Sequence, residues 1–260
     1  MPDEAVLYEV ADQVATVTIN NPERRNALSA AVMRGLTDAF VRARADRDVR
    51  VVVLTGAGDK AFCAGADLSG QVTDASFLEQ FDSRGEMVKL FGTGYGLGKP
   101  LIAKVRGFAL AGGFGLALLA DIVIAADDAV FGTPEINVGM WPMMITVPML
   151  RSMPPKVALE LQMTGRRVPA EEGVRLGFVN RVVPVAELDA TVAALAADLA
   201  TKSPAIMRLG RDAFYRVLDQ SADDALAYLH AGLTLVAQTE DHREGIRAFA
   251  EKRQPDYTGR

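Results

Sequence analysis

Apolar and polar residues alternate over 5–10 and again over Val14–Ile19, on either side of Asp12-Gln13, which predicts an opening β-hairpin that Asn20-Asn21-Pro22 brings to an end. The period then lengthens. Val32, Leu36, Ala39, Phe40 and Ala43 recur at helical spacing behind Ser29, an N-cap residue type, and predict a helix to about Ala45. Residues 50–55 carry contiguous valines, the pattern of a strand covered on both faces. The theme repeats with a loop over 62–70, a helix within 76–91, a strand at Leu101–Val105, a glycine-rich turn, a helix near 113–120 and a strand at Ile122–Ala126. Strands alternating with helices predict an α/β architecture with short strands.

After Pro184 the periodicity is helical almost throughout, and Pro204 behind Ser203 opens a new helix. Leu209, Phe214, Leu218, Leu226, Leu229, Leu233 and Val236 are too many apolar residues for a tail that only faces water. They predict a helical subdomain over 201–260 that packs on the 1–200 core or on another subunit.

Composition narrows the function classes. Half of the 260 residues are hydrophobic and 23% are charged, which describes a folded globular chain. A formal net charge of −5 offers no basic footprint, so no nucleic-acid partner is expected. Met1-Pro2-Asp3-Glu4 lacks a signal peptide's basic and apolar regions, and no apolar run reaches the roughly 18 residues of a membrane span, so no membrane partner is expected. Cys63 is the only cysteine, which points to the reducing cytoplasm, and with His230 and His242 as the only histidines no metal site is expected.

Two glycine-rich segments carry the chemistry. Gly56-Ala57-Gly58-Asp59-Lys60-Ala61 matches a loose dinucleotide fingerprint, but the segment after it has no helical face for a pyrophosphate to sit on. Ala61-Phe62-Cys63-Ala64-Gly65-Ala66-Asp67-Leu68 is built of small residues behind a strand, so its N–H groups are open to a ligand. Residues 107–116 follow a second buried strand and should open a helix, whose free N–H groups favour negative charge. Two such donors aimed at one oxygen would make an oxyanion hole.

These segments, with Asn21-Pro22-Glu23-Arg24-Arg25-Asn26-Ala27-Leu28, Thr133-Pro134-Glu135, Thr164-Gly165 and 171–182, occur in the order and at the spacings of the enoyl-CoA hydratase/isomerase (crotonase) family, which the chain resembles over nearly its whole length. The resemblance implies a spiral of ββα units followed by C-terminal helices that build trimers, usually paired into hexamers. It implies an acyl-CoA substrate and no cofactor besides the coenzyme A that the substrate carries. By position, the backbone N–H groups of Ala66 and Gly112 would hold the thioester oxygen as it gains enolate character. Arg24 would stand near the coenzyme A phosphates, the Ala64 carbonyl would accept from the adenine amino group, and Phe249 and Lys252 would reach the nucleotide, often that of a neighbouring subunit.

One departure decides the chemistry. Hydratases of the family use two glutamates; the second is present as Glu135, but the first position holds Gly115, which cannot orient water or carry a proton. One glutamate suffices to shuttle a proton between C2 and C4, so the leading expectation is double-bond isomerisation by Glu135. The apolar setting that would raise its pKa is sought in Ile136, Met140, Trp141, Met143, Met144 and Ile145. Two alternatives stand beside it: a hydratase with a compensating acid from the 72–98 segment, such as Glu79, Asp82 or Glu86, and a non-catalytic acyl-CoA-binding protein. Asp121 reads as structural and Asp67 as ambiguous.

Overall fold

The computed structural model describes residues 4–66 and 76–260; Asp67 and the rest of 67–75 lie outside the described residues. Strands β1 (Val6–Ala11) and β2 (Val14–Ile19) pair antiparallel from Val6↔Ile19 to Ala11↔Val14. Asp12 and Gln13 both take positive φ, 48° and 67°, the conformation whose twist matches a two-residue hairpin. Helix α1 (Ala30–Ala45) starts where the Val32 N–H donates to the Ser29 hydroxyl at 3.2 Å, and returns the chain to β3 (Val51–Gly56), parallel to β2.

Two sheets follow from this repeat. Strands β5 (Leu101–Val105), β7 (Ile122–Ala126) and β10 (Arg181–Val183) extend the first sheet to the order β1-β2-β3-β5-β7-β10. Strands β4 (Ala61–Cys63), β6 (Phe108–Leu110), β8 (Val130–Gly132) and β9 (Arg167–Pro169) form a smaller one in that order. The expected loop over 62–70 is corrected here, because it begins as β4.

The valine run in β3 is continuous because both its faces are covered. Val52 and Leu54 pack with Leu36, Phe40, Phe114 and Phe131, while Val51 and Val53 pack with Ile102, Ile124 and the Leu188, Val192 and Ala196 stripe of α7 (Leu188–Ala200). Helix α2 (Phe77–Tyr95) runs past the expected end at Phe91, and α3 (Gly112–Leu119) is buried along its whole length. Helices α4 (Thr146–Ser152), α5 (Pro155–Thr164) and α6 (Ala170–Leu176) lead to β10.

The C-terminal region is helical: α8 (Pro204–Val217), α9 (Ala222–Gln238) and α10 (Glu240–Glu251), with Pro204 in the first turn behind the Ser203 cap. Arg211 of α8 is its anchor. Its guanidinium pairs with Asp121 at 2.8 Å and donates to the carbonyls of Tyr95 and Gly94 at 2.8 and 3.0 Å, the last turn of α2. Asp121 also accepts from the Tyr215 hydroxyl at 2.6 Å and the Leu101 N–H at 2.8 Å, which accounts for it as a structural carboxylate. Among the described residues no helix is long and apolar enough to cross a membrane.

Candidate active site

The smaller sheet gathers the site. Its neighbouring strands β4, β6 and β8 run parallel, and Ala66, Gly112 and Glu135 stand two or three residues past their C-terminal ends, the position where open α/β sheets place ligands.

The two glycine-rich segments meet in space. A Cβ added at Gly65 would lie 2.5 Å from the Ala111 Cβ and 3.4 Å from the Gly112 nitrogen, and one at Gly113 would lie 2.1 Å from the Cys63 carbonyl oxygen. Only hydrogens at 65 and 113 allow this approach. Gly112 opens α3 behind Ala111, whose φ of 52° is unusual for alanine, so the Gly112 N–H belongs to the first helical turn and has no acceptor within the helix. Ala66 bridges Leu28 in parallel, with the Leu28 N–H donating to the Gly65 carbonyl at 2.8 Å. In such a ladder the bridged residue turns its own N–H to the opposite side, so the Ala66 donor faces away from Leu28.

Glu135 lies in a short 3-10 helix, Pro134–Val138, entered from β8 through Thr133, whose buried hydroxyl donates to the Leu161 carbonyl at 2.7 Å. One carboxylate oxygen of Glu135 is buried without a hydrogen-bond partner, and burial raises its pKa above the ordinary 4.5. Of the residues expected to give it an apolar setting, Ile145 is buried, Ile136 and Trp141 are half-buried, and Met140, Met143 and Met144 are exposed.

At Gly115 the glutamate is absent and its space is taken. A Cβ there would come within 2.4 Å of Ile145 Cγ2 and 3.0 Å of Phe91 Cζ. Helix α2 runs beside α3 in the same direction, since Met87 approaches Gly112, Phe91 approaches Gly115, and Leu119 approaches Gly94. Of the acids in α2, Glu79 closes a capping box with Ser76 and Asp82 is exposed, whereas Glu86 is half-buried with one carboxylate oxygen lacking a partner.

The remaining expected residues are spread out. Ala64 adjoins the oxyanion segment, its N–H donating to the Arg25 carbonyl at 3.0 Å, and Arg24 is exposed at the end of a 3-10 turn, Pro22–Arg24, on the neighbouring loop. Phe249, 87% exposed, and Lys252, in the left-handed conformation that ends α10, lie on the α8–α10 assembly; this chain does not fold them onto the strand ends. Cys63 is buried and its thiol is pushed up to about 12, so it is no nucleophile. A cavity of about 600 Å³ under α8, lined by Asp121, Met207, Arg211 and Phe214 among others, is separate from these groups. Sequence reasoning passed over Ile145 and Phe91 as the occupants of the Gly115 site and over the side chain of Asn26, which is fully buried beneath the oxyanion segment. A buried asparagine among exposed neighbours leaves no periodic signal.

Comparison with known proteins agrees with this architecture. The family profile described as Enoyl-CoA hydratase/isomerase matches residues 9–260. A Thermus thermophilus protein named as an enoyl-CoA hydratase is 38% identical over 246 residues, covering 94% of this chain and 97% of that one. The carnitinyl-CoA dehydratase of Escherichia coli is 37% identical over 256 residues, covering 95% of each chain. The crystal structure of an enoyl-CoA hydratase from Bacillus anthracis superposes with a TM-score of 0.94 at 32% identity, over 98% of this chain and 100% of that one. The chain therefore belongs to the enoyl-CoA hydratase/isomerase family, with the crotonase fold, and is an enzyme of that family acting on coenzyme A thioesters.

Proposed function

We propose that this enzyme moves the double bond of an enoyl-CoA between C3 and C2. The Glu135 carboxylate takes a proton from C2 of a 3-enoyl thioester. The C2–H electron pair shifts into the conjugated system, and the charge on the thioester oxygen is held by the Ala66 and Gly112 N–H groups. Protonated Glu135 returns the proton to C4, leaving the double bond at C2–C3. A preorganised donor of this kind contributes about 3–4 kcal/mol to the transition state.

The observation that carries the reading is at Gly115: where a second carboxylate would stand, Ile145 and Phe91 close the space, so the paired-carboxylate arrangement is not available from that position. The Glu135 carboxylate, desolvated by burial and with one oxygen lacking a partner, is the stronger base that a thioester α-proton calls for. The coenzyme A portion would be met by Arg24 and the Ala64 carbonyl, and by Phe249 and Lys252 of a neighbouring subunit in a trimer or hexamer. The substrate's coenzyme A is the only cofactor required, and the cytoplasm is the expected compartment. Incubation with 3-enoyl-CoA and 2-enoyl-CoA tests the reaction: interconversion without hydroxyacyl-CoA is expected, and exclusive addition of water to the 2-enoyl substrate would overturn it.

The second reading is hydration with Glu86 as the compensating acid. It is favoured by the lone buried oxygen of Glu86 and by the name of the Thermus relative. Glu86→Gln separates the two, since it abolishes water addition on this reading and leaves isomerisation intact on the first.

A further inference from the structure

We infer that Asn26 is the positioning residue for the Ala66 half of the oxyanion hole; this rests on the assignment of Ala66 and Gly112 as the donors. Asn26 is wholly removed from solvent in a loop whose preceding four residues are exposed or half-exposed. Its amide nitrogen reaches across to the 57–61 segment and its amide oxygen ties back into its own loop. Its Nδ2 donates to the carbonyls of Ala57 at 2.9 Å and Ala61 at 2.7 Å, and its Oδ1 accepts from the Asn21 N–H at 3.0 Å. The orientation of the amide is dictated by its partners, because only the nitrogen can face two carbonyls.

The backbone around Asn26 is bent to make this reach. Arg25 and Asn26 take positive φ in succession, 53° and 56°, a conformation that asparagine tolerates better than most residues but that is uncommon for arginine. The bend turns the Arg25 carbonyl to the Ala64 N–H and the Leu28 N–H to the Gly65 carbonyl, and sets Leu28 beside Ala66. Gly56 completes the fit, since a Cβ there would lie 2.6 Å from the Asn26 Nδ2. The segment from Ala57 to Ala66 is thus gripped by the side chain of Asn26 at one end and by the backbone on either side of it at the other. The direction of the Ala66 N–H is set by that grip, and a donor displaced by about 1 Å costs on the order of 10²-fold in rate.

Asn26→Asp keeps size and shape but sets oxygen against the Ala57 and Ala61 carbonyls; Asn26→Ser removes the amide without adding charge, and is read if the aspartate variant does not fold. Leu36→Ala, a cavity in the core face of α1, is the control for lost stability alone. The readout is the isotope-edited carbonyl stretch of a bound saturated acyl-CoA, which the hole polarises, together with kcat and KM. The expected result is a stretch that returns toward its value in water, with kcat lowered about 10²-fold and KM little changed, while Leu36→Ala keeps both at the wild-type value despite its lower Tm. A folded Asn26 variant with the wild-type stretch and kcat overturns the inference, as does an equal loss in Leu36→Ala. A wild-type protein that leaves the carbonyl unpolarised would instead remove the oxyanion hole itself, a separate failure visible before any variant is made.

Discussion

At the scale of single residues, Glu135 and Gly115 make opposite demands. Burial, outweighing a backbone hydrogen bond to one oxygen, holds the Glu135 carboxyl above its ordinary 4.5, so the folded protein favours the protonated form more than the unfolded chain does. Its contribution to stability is therefore whole below 4.5 and is lost as the pH rises through the folded-state value. Glu135→Gln is expected to melt higher than the wild type at neutral pH, by about 2–4 °C if relief of the desolvated charge is worth about 1 kcal/mol, with the advantage shrinking as the pH falls. The same variant should lose on the order of 10³ in kcat, and the acidic limb of the wild-type kcat/KM profile should lie above that of an ordinary carboxylate. Gly115→Glu should destabilise by about 1–3 kcal/mol without conferring hydration, because its Cβ meets Ile145 and Phe91; pairing it with Ile145→Ala should recover much of that loss in denaturant melts. The identity of residue 115 is plain in the sequence. That its space is filled from two distant elements is not, because packing neighbours leave no local pattern.

Among elements, legibility follows strand length and burial. Strands β3, β5 and β7 announce themselves as apolar runs because both sheet faces are covered. The strands that carry the site are three residues each, Ala61–Cys63, Phe108–Leu110 and Val130–Gly132, too short to show any period, so β4 reads as a loop. The glycine spacing nonetheless exposes the two segments that approach each other at Gly65 and Gly113, since close backbone approach has a compositional signature that a short strand lacks. Between elements, the grip of Arg211 on the end of α2 is hidden in the sequence. Removing one partner of a buried pair strands the other, so Arg211→Met should cost about 3–5 kcal/mol of unfolding free energy in urea titrations. Hydrogen exchange at the amides of 90–95 should accelerate in that variant, because α2 loses the donors that close its last turn.

For the whole molecule, the C-terminal helices leave an account open. Helix α9 buries none of its residues, and Leu226, Leu229 and Leu233 form a stripe along it that is 67%, 40% and 67% exposed. Such a face is too apolar to stand in water, so the protein is expected to sediment as an oligomer, and Leu226→Glu with Leu233→Glu to release smaller, folded species. The spacing of apolar residues foretold an apolar stripe in this region, whereas what covers it is a property of two surfaces and is not written in one chain. The two glycine-rich segments approach each other backbone to backbone, through Gly65 and Gly113. If the proposed main-chain donors hold the thioester oxygen, substitutions of the Ala66 side chain act on the anchor only through bulk, whereas the supports Gly65, Gly113 and Asn26 leave it little freedom to change. An inhibitor that mimics the enolate and also reaches Glu135 would on this reading leave few escapes, because changing either contact would cost the enzyme its own rate.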